Sequence, residues 1–282
     1  MTSDARAVLR RTGLAPKKSF GQNFLVSPHT VDAIAAACIP AAEIGRARVL
    51  ELGAGTGALT RALAARARSV VAVERDRDLV PVLGEELADF PAGRVRIIEG
   101  DAQGVDPREL LGAADPDSPR VLCGNLPYQI TGRLLERAVA HADDVERVVF
   151  MVQLEVADRL AAEPGSKTYG ALTVFVRAAF RSAKLFSVGP GSFHPPPDVT
   201  SAVIRLEPER PRRAVETETF RAVVKGAFSM RRKTLRNAWR SVAPLDVIAA
   251  AAADAGISLD VRGETLGVDQ FAAMAAALDA RA

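Results

Sequence analysis

The stretch Arg48-Val49-Leu50-Glu51-Leu52-Gly53-Ala54-Gly55-Thr56-Gly57-Ala58-Leu59-Thr60 decides the fold. Its first six residues form a short apolar run, as expected of a strand buried on both faces. Three alternating glycines follow, which let the backbone turn sharply and approach a ligand without a Cβ in the way. Ala58-Leu59-Thr60 then opens an alanine- and leucine-rich segment of helical character that runs to Ala67. The glycine spacing is GxGxG, not the GxGxxG of a dinucleotide turn. No Gly-Lys-Ser/Thr follows, so a P-loop is excluded.

Outward from this unit the pattern repeats. SVVAVE (69–74), RVRIIEG (94–100), RVLCGN (120–125) and RVVFMVQ (147–153) read as further parallel strands, with helical stretches such as LLERAVAHA (134–142) between them. Strand–helix alternation predicts an α/β, Rossmann-like, mostly parallel sheet whose ligands sit at the carboxyl ends of the strands. AKLFSVG (183–189) and SAVIRLE (201–207), separated by a proline-rich corner rather than a helix, predict an antiparallel edge. A linker rich in proline and charge (208–219) marks a boundary, giving a domain over 1–207 and a small all-helical domain over 208–282.

Strand ends carry the chemistry. Glu74 closes the second strand, 21 residues after Gly53, where a carboxylate accepts both ribose hydroxyls of an adenosine-containing cofactor. Asp101, ending the third strand, is placed to accept from an adenine amine. With Gly53, Gly55 and Gly57, these point to an adenosyl cofactor, S-adenosylmethionine ahead of NAD.

After the fourth strand comes Gly124-Asn125-Leu126-Pro127-Tyr128. An adenine N6 amine is a poor nucleophile because its lone pair is delocalised into the ring. Hydrogen bonds accepted from both of its N–H groups pull the nitrogen towards sp³ geometry. The Asn125 side-chain carbonyl and the Leu126 main-chain carbonyl are two such acceptors. Pro127 fixes the turn that aims the second, and Tyr128 gives a base a flat surface. Alignment of this amine with a sulfonium methyl then supplies most of the catalysis.

The net charge of +3 is segregated. Residues 1–20 carry +4 and residues 225–240 carry +6, leaving −7 on the rest. Two basic patches on an acidic body predict a polyanion partner, nucleic acid above others. In the second patch, Phe220, Val223, Val224, Ala227 and Phe228 form an apolar helical stripe, and Arg232, Arg236 and Arg240 continue at i+4 steps as one basic ridge with Trp239 beside it. Two distant cysteines and three scattered histidines give no metal-ligand spacing, so no metal is expected. No apolar run approaches 18 residues and the first 20 residues lack the core of a secretory signal, which predicts a cytoplasmic chain with no membrane partner.

The ordered landmarks Lys17-Lys18-Ser19-Phe20-Gly21-Gln22-Asn23-Phe24-Leu25, Glu51 to Gly57, Gly124 to Tyr128, Ser166-Lys167-Thr168-Tyr169-Gly170, Phe193-His194-Pro195-Pro196-Pro197-Asp198-Val199-Thr200-Ser201, Arg231-Arg232-Lys233-Thr234-Leu235-Arg236-Asn237 and Arg262-Gly263-Glu264-Thr265-Leu266 span nearly the whole chain. In this series it resembles the rRNA adenine N6,N6-dimethyltransferases, most of all their bacterial small-subunit branch. The resemblance implies a class I methyltransferase fold and S-adenosylmethionine, with Asn23 and Leu25 lining its pocket beside Gly53, Glu74, Asp101 and Asn125. It implies as substrate two adjacent adenosines in the hairpin loop near the 3′ end of 16S-type rRNA, each methylated twice. The RNA is then presented by an immature small subunit to an enzyme that is monomeric when free and doubles as a late assembly checkpoint. Arg231, Arg232, Lys233, Arg236 and Arg240 become RNA contacts. Phe193 either stacks on the target base or packs in the core. The chain departs from the common pattern at Ala54, where proline is frequent, and at Gln129-Ile130-Thr131, where Asn-Ile-Ser is frequent. A large-subunit rRNA adenine methyltransferase of the macrolide-resistance type and a non-catalytic assembly factor are the competing readings.

Overall fold

Burial is nearly continuous along the four strands at residues 48–52, 69–74, 120–125 and 147–153, which follows when both faces of a sheet are covered. The computed structural model describes residues 4–230 and 232–281. Among the described residues nine strands occur in chain order: β1 Phe24–Leu25, β2 Arg48–Leu52, β3 Ser69–Glu74, β4 Val95–Glu99, β5 Arg120–Asn125, β6 Arg147–Gln153, β7 Phe180–Val188, β8 Phe193–His194 and β9 Ser201–Pro208. Seven form one sheet in the order β4-β3-β2-β5-β6-β9-β7. The first five of these are parallel, and β9 runs antiparallel to β6, pairing Phe150 with Ile204. The exposed residues of the sheet lie on its two edges, β4 and β7. The α/β class and the antiparallel edge are as the sequence predicts.

One face is filled by Val49, Val70, Val121, Val149 and Val203, packed with Ile34, Leu59 and Leu63 of the helices Pro28–Cys38 and Ala58–Ala64. The first of these helices starts where Ser27 accepts a hydrogen bond from the Thr30 amide, with Pro28 in its first turn. The short pair β1–β8, antiparallel with Phe24 opposite His194, has no counterpart among the strands expected from sequence.

The chain forms two compact units. The first comprises residues 1–157 and 183–207, the second 158–182 and 208–282. Residues 158–182 belong with 208–282 rather than with the sheet, because Tyr169, Val174 and Ala178 share the core of that unit with Phe220, Trp239 and Phe271. Tyr169 donates its hydroxyl hydrogen to the Leu266 carbonyl, and Gly263 abuts Ala227, whose carbonyl oxygen a Cβ would meet at 2.7 Å. These contacts account for two landmark segments as packing devices.

The continuous basic ridge is not formed. The helix Glu218–Ser229, capped by Thr217, ends at Met230, and a new one-turn helix starts at Leu235. The amides of Leu235 and Arg236 turn away to the carbonyls of Val261 and Leu259. Trp239 is fully buried and donates to the Val223 carbonyl, so it belongs to the core rather than flanking a charged ridge. Among the described residues no helix is long and apolar enough to cross a membrane.

Candidate active site

Beyond β2 the chain builds the sheet outward through β3 and β4, then returns to place β5 on the other side of β2. Such a reversal leaves a crevice at the carboxyl ends of the two central strands. There Gly53 (φ 76°) and Gly55 (φ 58°) adopt left-handed backbone. A Cβ on Gly55 would lie 3.0 Å from the Phe24 ring. At Gly124 a Cβ would lie 2.4 Å from the Leu52 carbonyl oxygen, so β5 can pass β2 here only as glycine. The cleft holds about 930 Å³ of empty space, mouth included.

Glu74, 7% exposed, accepts hydrogen bonds from the amides of Gly55 and Asp76, both at 2.7 Å. Burial pushes its carboxyl up, and these amide donors oppose the rise. A carboxylate has about four lone-pair sites, so each oxygen keeps one for a ligand hydroxyl. Asp76 carries the network outward, accepting from Lys17 Nζ at 2.5 Å and from Gln22 Nε2 at 2.9 Å. Burial would raise the Asp76 carboxyl, but its bonds to Lys17 and Gln22 outweigh this and hold it below the ordinary range. The segment 17–23 is thereby fastened across the cleft. Phe20 on this segment lies between two cations, with Arg75 5.2 Å and Lys17 5.6 Å from the ring centre. Asp101 faces the cleft with Arg75 at 3.6 Å and accepts from the Gln103 amide at 2.9 Å.

At the end of β5, Asn125 Nδ2 donates to the Asn23 main-chain oxygen at 2.8 Å. That bond assigns the amide orientation and leaves Oδ1 as a free acceptor. Among the described residues nothing donates to Asn125 Oδ1 or to the Leu126 carbonyl. The hydroxyls of Tyr128 and Ser201 share a 2.7 Å hydrogen bond, which fixes the half-buried Tyr128 ring against the cleft.

Of the residues read from sequence, Asn23, Gly53, Gly55, Glu74, Asp101, Asn125, Leu126, Pro127 and Tyr128 line this cleft. Leu25 does not; it is in the core, and Phe24 lines the cleft in its place. Gly57 is not on the wall either; it precedes the helix Ala58–Ala64 with φ 87°, where a Cβ would meet Leu83 at 2.8 Å. Phe193, 1% exposed, packs with Leu25, Met151, Val188 and Val203, so of its two possible roles it takes the core one. Phe20, Gln22 and Arg75 line the cleft without having been singled out, since their roles depend on the folded-over segment 17–23. In the second unit Arg232, Lys233, Arg236 and Arg240 are exposed, with Arg236 held 3.2 Å from Asp260. Arg231 lies outside the described residues. Among the described residues no group of three His, Cys, Asp or Glu side chains could hold a metal ion.

The walls fit an adenosyl group: a turn that admits no Cβ at Gly55, two carboxylates at successive strand ends, and a half-buried aromatic ring beside two acceptor oxygens. A family model described as "Ribosomal RNA adenine dimethylase" matches residues 13–280. The "Ribosomal RNA small subunit methyltransferase A" of Geobacter metallireducens is 44% identical over 275 residues, covering 96% of this chain and 98% of that protein. Its namesake in Myxococcus xanthus is 42% identical, covering 97% and 94%. Among solved structures, a dimethyladenosine transferase from Plasmodium falciparum shares the fold with a TM-score of 0.74 at 24% identity, covering 89% of this chain and 95% of that one. The 23S rRNA methyltransferase ErmE matches with a TM-score of 0.65 at 26% identity, covering 91% and 100%. With its cleft, its glycine turn and its near-complete match, the chain belongs to the ribosomal RNA adenine dimethylase family, enzymes whose methyl donor is S-adenosylmethionine.

Proposed function

We propose that this chain dimethylates N6 of two adjacent adenosines in the 3′-terminal hairpin loop of 16S-type rRNA, within the maturing small ribosomal subunit. The observation that carries the reading is the pair of unengaged acceptors at the end of β5, Asn125 Oδ1 and the Leu126 carbonyl, with the amide of Asn125 oriented by Asn23. When bound, the cofactor supplies a methyl group on a sulfonium, a carbon open to attack by a nitrogen lone pair.

Every other part of the task falls to the protein. Glu74 and Asp101 offer carboxylate oxygens to ribose hydroxyls and to the adenine amine of the cofactor. Tyr128, its hydroxyl tied to Ser201, gives the target base a fixed face to stack on. Asn125 and Leu126 accept from the two N–H groups of the target amine and localise its lone pair. They also stabilise the positive charge that grows on that nitrogen as the new N–C bond forms. The proton is lost afterwards to water, so no general base is required. A base in a hairpin loop costs less to extrude than one in a duplex, which favours a looped substrate.

Arg232, Lys233, Arg236 and Arg240 on the helical unit are exposed and would dock on rRNA phosphates, supplying affinity and orientation rather than base identity. The enzyme is monomeric and cytoplasmic in this reading, and its stay on the immature subunit is a late checkpoint of assembly.

The test is mass mapping of methylated adenosines after incubation of purified protein with immature small subunits and, separately, with protein-free large-subunit RNA. Dimethylation of two neighbouring adenosines in small-subunit RNA alone is the expected result. Labelling of the large-subunit RNA alone would transfer the assignment to that RNA, and binding without methylation would leave an assembly factor.

A further inference from the structure

A second cleft borders β8 at His194. It holds about 710 Å³ of empty space, mouth included, and is lined by Arg6, Leu9 and Arg10 of the helix Ala5–Thr12, by Leu14 and by His194. No carboxylate is on the wall. Arg6 and Arg10 are one helical turn apart, so their side chains share a face.

The cations of this region divide into two sets. Arg11 is held at 2.6 Å from Glu86, and Lys17 bridges Asp76 and Asp78. These two serve the fold. Among the described residues Arg6 and Arg10 are paired with no acid, although Asp4 is close in sequence; its carboxylate accepts from the Arg6 main-chain amide as the helix cap. Of the described cations here without an acid partner, Arg6 and Arg10 line the cleft, while the exposed Lys18 does not.

The two clefts are linked through the β1–β8 pair. His194 stands opposite Phe24 in the β1–β8 pair, and Phe24 lines the first cleft. Ala5 and Leu9 pack on Phe24 and Leu79, which seats the basic helix against the wall of the candidate active site. A nucleic acid that inserts one base beside Tyr128 has its backbone left outside that cleft, and the helix carrying Arg6 and Arg10 packs on Phe24 of its wall.

We infer that this second cleft binds a backbone phosphate of the substrate RNA close to the inserted adenosine, with Arg6 and Arg10 as its anion-binding pair and His194 as a further ring N–H donor. The inference rests on the rRNA reading above and adds to it a positioning site in the first unit. A guanidinium pair forks onto phosphate oxygens with directed donors, which suits fixing the register of a strand.

The experiment is equilibrium binding of a 16S-type RNA fragment containing the 3′-terminal hairpin, across a series of salt concentrations. Wild type is compared with Arg6→Gln/Arg10→Gln, with the charge-keeping Arg6→Lys/Arg10→Lys, and with Arg96→Gln/Arg108→Gln as a control for net charge. The glutamine pair is expected to weaken binding about tenfold at about 0.15 M salt and to flatten the logarithmic salt slope by about 0.7–0.9 for each phosphate it no longer neutralises. The lysine pair should keep most of the slope, and S-adenosylmethionine affinity should stay within about twofold throughout. A glutamine pair that matches the control in affinity and slope would overturn the inference. So would a pair that loses binding of inorganic phosphate while holding RNA as tightly as wild type, since the cleft would then serve a free anion. Methylation by the wild type is scored separately: RNA bound but unmethylated would defeat the dimethyltransferase reading and leave the salt-slope result standing.

Discussion

Asn125 at the end of β5 and Asn23 on the segment before β2 are joined by a 2.8 Å hydrogen bond that spans 102 residues of sequence. One side chain thereby does two things: its Nδ2 pins the segment that borders the cleft, and its Oδ1, without a donor among the described residues, is left as an acceptor in the cleft wall. Asn125→Asp separates these, because a carboxylate oxygen would oppose the Asn23 carbonyl with no donor between them. An unmet buried polar group costs about 1–3 kcal/mol. The expected outcome in calorimetric titration is S-adenosylmethionine affinity reduced by about tenfold; unchanged affinity would show that the bordering segment does not depend on this bond.

The same segment is fastened at its other end by Lys17. Lys17→Met removes the bridges to Asp76 and Asp78 and leaves Gln22 as the remaining side-chain tie to Asp76. Cofactor affinity should fall several-fold, amide hydrogen exchange over 17–23 should quicken, and the unfolding midpoint should barely move. A large loss of global stability with affinity intact would make Lys17 a structural residue only.

Glu51, 1% exposed, gives a pH signature. Burial pushes its carboxyl up to about 8, against the opposing effect of the Thr60 hydroxyl and with help from Glu74. Among the described residues its Oε2 has no hydrogen-bond partner. Between its ordinary value near 4.5 and about 8, the folded chain holds a proton at Glu51 that the unfolded chain has released. The stabilisation is full below that window and is lost as pH rises through it, with a slope of at most about 1.4 kcal/mol per unit. Glu51→Gln should therefore gain stability relative to wild type from pH 5 to 8 in denaturant titrations. A constant difference between the two proteins across that range would contradict the assignment.

How much of this is legible in sequence varies with the length of the signal. The strands of the large sheet are readable because runs such as SVVAVE and RVVFMVQ are buried on both faces, so nearly every residue is apolar. Strand ends are readable too, and they carry Glu74, Asp101 and Asn125. Two-residue strands such as Phe24–Leu25 have no periodicity to read, and alternation along that pair sends Phe24 to the cleft and Leu25 to the core. The i+4 spacing of Arg232, Arg236 and Arg240 suggests one helix. The main-chain bonds from Leu235 and Arg236 to Val261 and Leu259, partners some 23 to 26 residues away, break that helix, and local spacing contains no trace of them.

Two glycine substitutions separate close packing from mere flexibility. Gly124→Ala puts a methyl group 2.4 Å from the Leu52 carbonyl and should destabilise the first unit by roughly 3 kcal/mol, the upper part of the range for overpacking. Gly84→Ala, within the helix Leu79–Glu86 and with nothing within 4 Å of the added atom, should stabilise by about 0.5–1 kcal/mol. Chemical denaturation of both variants checks the contrast, and equal effects would refute it.

The most direct measurement of the central claim is the single-turnover rate of methyl transfer by Asn125→Ala to immature small subunits, with cofactor and RNA both saturating. If Asn125 Oδ1 is one of two acceptors that make the adenine amine nucleophilic, the rate falls by about a hundredfold or more while subunit binding stays near that of the wild type. A variant that transfers methyl groups at the wild-type rate would contradict the claim.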